Sequence, residues 1–328
     1  MKFVINMECV GYNSGEFPKG AKGEVMSRVH DNPAVNGRTH DFHAEATVVS
    51  GTLHQPFPQT IEPQAKSNLF HKGGYLAQHV GEFRVEGVLT FQKAYTQVAG
   101  NPGKKEGHGW STLTTTVVEG LNVLEILTAD KVVGQIITEH PLEGYVPRIS
   151  FLGTRFEGLK IAGFPVEIEW DLNILGEKPE KDHGYSQHEG VLKRVKDMVK
   201  GFGKPDQLPA EVTAQYNRLS SNLESPGAVE CSLVKKAWGG YPGFTFGHII
   251  RVPDFGTIEL AKLSVKHEDY GTPGDPHNPD PKVPETTTIT LTMIDLKLGC
   301  AVDGDIPIGT GTSNGGTPKG GAAKGGNS

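Results

Sequence analysis

The chain has 328 residues, with 43 Gly, 22 Pro and a formal net charge of −6. About one residue in five is therefore Gly or Pro, against about 12% in an average soluble chain, and the negative charge opposes a nucleic-acid binder that works through phosphate contacts. Apolar content is ordinary once glycine is counted with it, so a real core can form, built from short elements and turns rather than a helical bundle. No apolar run approaches the roughly 18 residues of a bilayer span. The opening MKFVINMECVGYNSGEF carries one Lys and a short apolar stretch, where a signal peptide needs about 7–15 apolar residues. As written, the chain reads as cytoplasmic by default, and as extracellular if a leader has been removed. Cys9, Cys231 and Cys300 are too few and too scattered for a disulfide framework or a zinc site. Whether Cys231 and Cys300 pair stays open.

From Thr39 the chain alternates, with Phe42, Ala44, Ala46 and Val48 on one face and Asp41, His43, Glu45 and Thr47 on the other. Period two is the mark of a half-buried strand. Residues 82–98 read as a long strand or a tight pair broken near Gly87. Residues 111–139 are rich in Val, Ile and Thr, which suit a pleated surface, with turns expected at Gly120 and Ala129-Asp130. Further strands are expected at 149–156, 159–162 and 165–174, with a tight turn at Ala162-Gly163-Phe164-Pro165, and then at 229–236, 245–252, 257–266 and 286–298. In the last of these the alternation slips around Ile294-Asp295, as a β-bulge would make it slip. Leu291 and Met293 should be buried together, and Leu296 and Leu298 should regain the same inner face.

One stretch breaks the strand pattern. In 188–200 Leu192, Val195, Met198 and Val199 recur at helical spacing, and in 209–223 Val212, Tyr216, Leu219 and Leu223 do so, with Pro209 at a helix start. Residues 188–224 thus read as a two-helix insertion, a lid or interaction arm that the core does without. Residues 269–285 form a Pro/Asp loop, and 309–328 read as a flexible, disordered Gly/Ser/Lys tail. Strands spaced about 8–14 residues apart without alternating helices indicate an all-β chain. The expected fold is a single antiparallel β-sandwich domain over 1–308, or a barrel-like variant of it.

Four segments carry a likeness to a known family: TTTVVEGLNVLEILTADKVVGQIITEH (114–140), FLGTRFEGLKIAGFPVEI (151–168), IIRVPDFGTIELAKLSV (249–265) and TTTITLTMIDLKLGC (286–300). Together they resemble the bacterial choice-of-anchor P proteins over about 110–300, with the helical insertion excluded. The resemblance implies an exported, β-rich domain of no assigned biochemical role and brings no catalytic residues with it. The chain departs from that family in showing no export signal and no sorting motif in its tail.

Asp41, His43 and Glu45 share a strand face, a carboxylate–imidazole–carboxylate set suited to a divalent metal if another ligand joins it. The plainer reading is a solvated face opposite an apolar one. Asp269, Asp275, Asn278 and Asp280, with Glu268 and Glu285 near them, offer oxygen ligands of the kind calcium takes, or simply a turn-rich loop. Trp238, Tyr241, Phe244 and Phe246 stand among glycines. Exposed, they form a stacking platform for a sugar ring or apolar partner; otherwise Phe244 and Phe246 enter the core. His183, Tyr185, His188 and Glu189 border the insertion and offer an acid–base pair or plain surface residues. The Lys193–Lys200 helix face reads as solvated. No nucleophile elbow, zincin, P-loop or dinucleotide motif occurs, and Gly15, Gly20 and Gly23 read as turn glycines. The leading reading is a non-catalytic structural, self-associating or glycan-binding module, without nucleic acid and without a transmembrane segment. Its rival is a metal-dependent enzyme built on a His/carboxylate site.

Overall fold

The computed structural model describes residues 25–28, 40–85, 87–102, 109–142, 144–180, 183–222, 227–270, 284–299 and 302–316. The first strands are β1 (Val25–Arg28), β2 (Asp41–Gln55), β3 (Gln59–Gln64), β4 (Ser67–His71), β5 (Gly74–Val80), β6 (Phe83–Val85), β7 (Leu89–Phe91) and β8 (Lys93–Pro102). They are followed by β9 (Trp110–Val123), β10 (Leu127–His140), β11 (Arg148–Ser150), β12 (Arg155–Glu157), β13 (Lys160–Ile161) and β14 (Phe164–Trp170). Helices α1 (Glu189–Lys200) and α2 (Ala210–Asn222) come next. The chain then returns to strands: β15 (Ala228–Ser232), β16 (Val234–Gly239), β17 (Phe244–Phe246), β18 (Ile249–Val252), β19 (Gly256–Tyr270), β20 (Pro284–Gly299) and β21 (Asp303–Gly316).

All pairings are antiparallel and fall into two sheets. One runs β1-β5-β8-β9-β10-β13-β14-β16 and the other β17-β18-β19-β20-β21-β2-β3, with short strands attached to each. Both orders are open paths, so the expected all-β sandwich with a helical insertion is what forms, and the barrel-like variant is not. β2, β20 and β21 face β8, β9 and β10 across the sandwich. Where they meet, the inward positions of β9 pass from Trp110 through Thr112, Thr114 and Thr116 to Val118. Thr114 Oγ1 donates to the Thr312 carbonyl at 3.3 Å, and the Thr138 and Ser313 hydroxyls share a hydrogen bond at 3.2 Å. This polar seam separates a small cluster of Phe42, Ala44, Ala46, Leu69, Val98 and Trp110 from the main core.

The largest departure from expectation is at the C-terminal end. Gly309 to Gly316, expected in a disordered tail outside a 1–308 domain, is the second half of β21, paired with β2 on one side and β20 on the other. Glycine is needed there because the sheets approach closely: a Cβ at Gly311 would lie 2.9 Å from Thr114 Cγ2, and one at Gly309 3.3 Å from Thr116 Oγ1. Residues 317–328 lie outside the described residues.

The phase slip in β20 has a different origin from the one expected. Leu291, Met293, Leu296 and Leu298 are all buried, as the alternation indicated. Register, however, stays constant: Thr292 pairs with Lys262 and Thr310, and Ile294 with Leu260 and Ile308. No extra residue is inserted. Four neighbouring strands reverse their in/out alternation on one row, at Val48, Gly309, Met293 and Ala261, with Gly309 at φ 67° and Ala261 at φ 44°. A bulge on one strand would shift register; a shared reversal preserves it. β9 and β10 do the same at Gly120 (φ 68°) and Asp130. The turns expected at Gly120 and Ala129-Asp130 are therefore a kink in a continuing pair. The real turn is Leu124-Glu125, both at positive φ, closed by Glu125 N–H donating to Asn122 Oδ1 at 2.9 Å.

The helices fall inside the expected 188–224. They are not a detachable arm, because Val191, Val195, Val212 and Leu219 are fully buried and belong to the main core.

Candidate functional site

β14 and β16 pair so that Trp238 lies opposite Glu167. β16 then passes through Gly239-Gly240 into β17. Among the described residues five large hydrophobic side chains are exposed, and three of them, Phe164, Trp238 and Phe244, sit on these adjoining segments. Their exposures are 48%, 44% and 63%, which is unusual for large apolar groups on neighbouring elements. A Cβ at Gly240 would lie 3.5 Å from Phe164 Cδ1, so the β13–β14 turn abuts this connection. Charged groups of both signs surround Trp238: Lys236 Nζ stands 5.8 Å from its ring centroid, and Lys235 pairs with Glu169 at 2.6 Å.

The four aromatics expected to form a platform thus divide. Trp238 and Phe244 are exposed, Phe246 is half-buried against the core, and Tyr241 is buried. Phe164 was not anticipated as part of the site, because the turn Ala162–Pro165 accounts for it as a hairpin residue. Phe164 opens β14 opposite the buried Ile161, just after the Ala162-Gly163 turn, and the signal available was a large aromatic beside that turn.

Asp41, His43 and Glu45 do share the outward face of β2, as the alternation indicated. Glu45 Oε1 is held by Lys66 Nζ at 2.8 Å. Among the described residues no group of three or more His, Cys, Asp or Glu side chains is arranged to hold a metal ion. Asp275, Asn278 and Asp280 lie outside the described residues, as do Cys9 and Cys300. Cys231 is a buried free thiol whose pKa burial pushes up. The residues bordering the insertion do other work. His188 Nδ1 accepts from Val191 N–H at 3.3 Å and caps α1, while Tyr185 is buried and donates to the Pro147 carbonyl at 2.9 Å.

Two enclosed ionisable sites went unnoticed in the sequence. Beneath α2, Glu259 of β19 is buried with His248, whose Nε2 lies 3.4 Å from Glu259 Oε1. Arg218 of α2 approaches the same oxygen at 3.3 Å and Glu230 at 3.1 Å, and Lys262 bridges Glu259 at 3.6 Å and Asp295 at 2.8 Å. Burial alone would raise the Glu259 pKa, but the His248 hydrogen bond and the charges of His248, Lys262 and Arg218 outweigh it and hold it at about 2. At the opposite end of the sandwich His40 and His140 are buried with ring centroids 4.3 Å apart, beside Trp110 and Phe42. Burial lowers the His40 pKa to about 4 and holds His140 well below the ordinary imidazole value, with His40 adding to the effect. Glu259 and His248 in the first site and His40 and His140 in the second are buried, while Arg218 and Lys262 reach partly into solvent.

An open-edged, two-sheet antiparallel domain with an exposed aromatic corner and enclosed ionic sites is the class these features define. The chain belongs to a family described as Domain of unknown function (DUF8256), whose profile matches residues 40–266. No curated protein and no solved structure matches it. The matched stretch opens at β2 and ends within β19, while β20 and β21, which lie between those two strands in the sheet, follow it. Among the described residues no helix is long and apolar enough to cross a membrane.

Proposed function

We propose that this is a non-catalytic bacterial binding module, of the exported β-rich kind that the likeness to choice-of-anchor P proteins implies, and that its aromatic corner takes a neutral saccharide. One observation carries the reading: Trp238, Phe244 and Phe164 are left exposed on adjoining segments. Leaving large aromatic surface in water forgoes roughly 25 cal/mol for each Å² that burial would remove, so exposed aromatics on adjoining segments favour a partner that covers them. The rim narrows the partner's chemistry. Glu167, Glu169, Lys235 and Lys236 surround Trp238, and a wholly apolar partner would strip them of water without compensation. A sugar ring offers a C–H face to the indole and hydroxyls to the carboxylates and ammonium groups.

The test is binding to an array of neutral oligosaccharides, followed by calorimetric titration of wild type, Trp238→Ala and Phe244→Ala. Wild type should bind, and Trp238→Ala should weaken binding at least about tenfold, as loss of a central aromatic anchor does. Absence of binding by wild type, or full binding by Trp238→Ala, overturns the reading.

A further inference from the structure

Tyr241 was expected to be one more surface of the aromatic platform, yet it is only 8% exposed. What it touches gives it another task. Its ring lies against Gly239: a Cβ there would stand 2.7 Å from Tyr241 Cδ1 and 2.5 Å from the Pro165 carbonyl oxygen. Gly239 directly follows Trp238. At the other end of the side chain the Tyr241 hydroxyl shares a hydrogen bond with Thr245 Oγ1 at 2.7 Å. Thr245 directly follows Phe244. One buried side chain therefore braces the residue that follows each of the two exposed aromatics, Gly239 and Thr245. The connection is fixed at further points as well. Gly243, at φ 127°, packs so closely on the Arg251 carbonyl that a Cβ cannot fit, and the Ala237 N–H donates to the Gly247 carbonyl at 3.0 Å.

We propose that Tyr241 is a positioning residue, which sets Trp238 and Phe244 in their binding arrangement before a saccharide arrives. The inference rests on the saccharide reading only for its second readout. A loop ordered in advance does not pay its ordering cost on binding, so preorganisation strengthens affinity without adding a contact. Removing the hydroxyl leaves the ring beside Gly239 and releases only the tie to Thr245, so Tyr241→Phe isolates the effect, and Thr245→Val removes the same bond from its other side.

The experiment uses protein labelled with 5-fluorotryptophan, whose three tryptophans, Trp110, Trp170 and Trp238, give separate ¹⁹F signals, with Trp238 assigned by Trp238→Phe. In Tyr241→Phe and Thr245→Val the Trp238 signal should broaden or split while those of Trp110 and Trp170 stay fixed. Titrations with maltohexaose, cellohexaose and chitohexaose should show roughly 3–10-fold weaker binding to whichever wild type binds, the size expected for one lost hydrogen bond. The double variant should be no worse than either single one, since both remove the same tie. An unchanged Trp238 signal in both variants overturns the positioning role. If wild type binds none of the three sugars and none on the array, the saccharide reading fails, and the ¹⁹F signals alone decide the role of Tyr241.

Discussion

The row Val48, Gly309, Met293 and Ala261 crosses the nine-stranded sheet between two halves of the sandwich that handle buried ionisable groups in opposite ways. On one side Glu259 keeps its charge in the interior because His248, Arg218 and Lys262 converge on it. On the other, His40 and His140 are buried against Trp110 and Phe42, and they give up their charge instead. An enclosed carboxylate needs cations brought from elsewhere in the chain, and here α2 supplies one of them. An imidazole needs none, because at neutral pH its proton can simply be absent. The charged half thus depends on the helical insertion, while the neutral half depends on the close fit of β21 over β9 and β10.

The neutral half is the easier to destroy. Ending the chain after Ile308 removes Gly309–Gly316, the shared partner of β2 and β20 at that end. A central strand lost from a sandwich leaves two unpaired edges and an uncovered core face, so this truncation should abolish the cooperative thermal transition seen by far-UV circular dichroism. A truncated protein that still melts cooperatively near the parent temperature would mean that the neutral half does not rely on β21. The composition of this segment conceals its role, since GTGTSNGG is what a linker looks like. Its order does not: Gly309, Gly311 and Ser313 face inward, with Thr310 and Thr312 between them. That is a period-two strand whose inner residues are as small as the gap requires.

A smaller loss should follow from disturbing the charged half. Glu259→Gln keeps the shape and removes the charge on which His248, Arg218 and Lys262 converge. Removing one member of a buried ionic group typically costs about 3–5 kcal/mol, and about 3 kcal/mol is expected because the Arg218 side chain is 35% exposed and water recovers part of the loss. Urea unfolding followed by tryptophan fluorescence measures it. A change under about 1 kcal/mol would show that the carboxylate is not what holds α2 to the sheet.

The strand-rich architecture was legible because period two and turn residues are local properties. The alternation of β2 gave both its faces, and the helical spacing placed α1 and α2 within a residue or two. The sites were less legible, for a physical reason. Glu259 sits between Ile258 and Leu260, a pattern that serves equally for a solvated outer face. Only α2, bringing Arg218 from 41 residues away, turns it into an interior charge. His140 likewise ends a strand whose last inward residue is ordinarily apolar, and nothing nearby in the sequence places it beside His40. At the aromatic corner the residue types were readable and the exposures were not, because the Gly239-Gly240 turn that leaves Trp238 in water also folds Tyr241 beneath it.

The gentlest test separates the two halves by pH. His40 and His140 have folded-state pKa values below the unfolded value of about 6.5, with His40 at about 4. Between those limits the unfolded chain binds protons that the folded one refuses, so stability is highest above pH 6.5 and falls as the pH drops towards 4. Each such histidine contributes a slope of about 1.4 kcal/mol per pH unit within that window. His267, lowered to about 4 by its own burial, acts in the same window. Glu259 behaves differently: its folded pKa of about 2 lies below the ordinary 4.5, so its contribution is intact above pH 4.5 and disappears only as the pH falls towards 2. His140→Leu, a replacement of similar volume at a side chain whose ring nitrogens make no hydrogen bond among the described residues, should change stability little at pH 7.5. Between pH 6.5 and 4.5 it should flatten the acid slope by up to about 1.4 kcal/mol per pH unit. Urea midpoints at half-unit steps, wild type against His140→Leu and Glu259→Gln, make the comparison. Parallel wild-type and His140→Leu curves through that window would show that His140 exchanges its proton as freely folded as unfolded, and that burial does not hold its charge off.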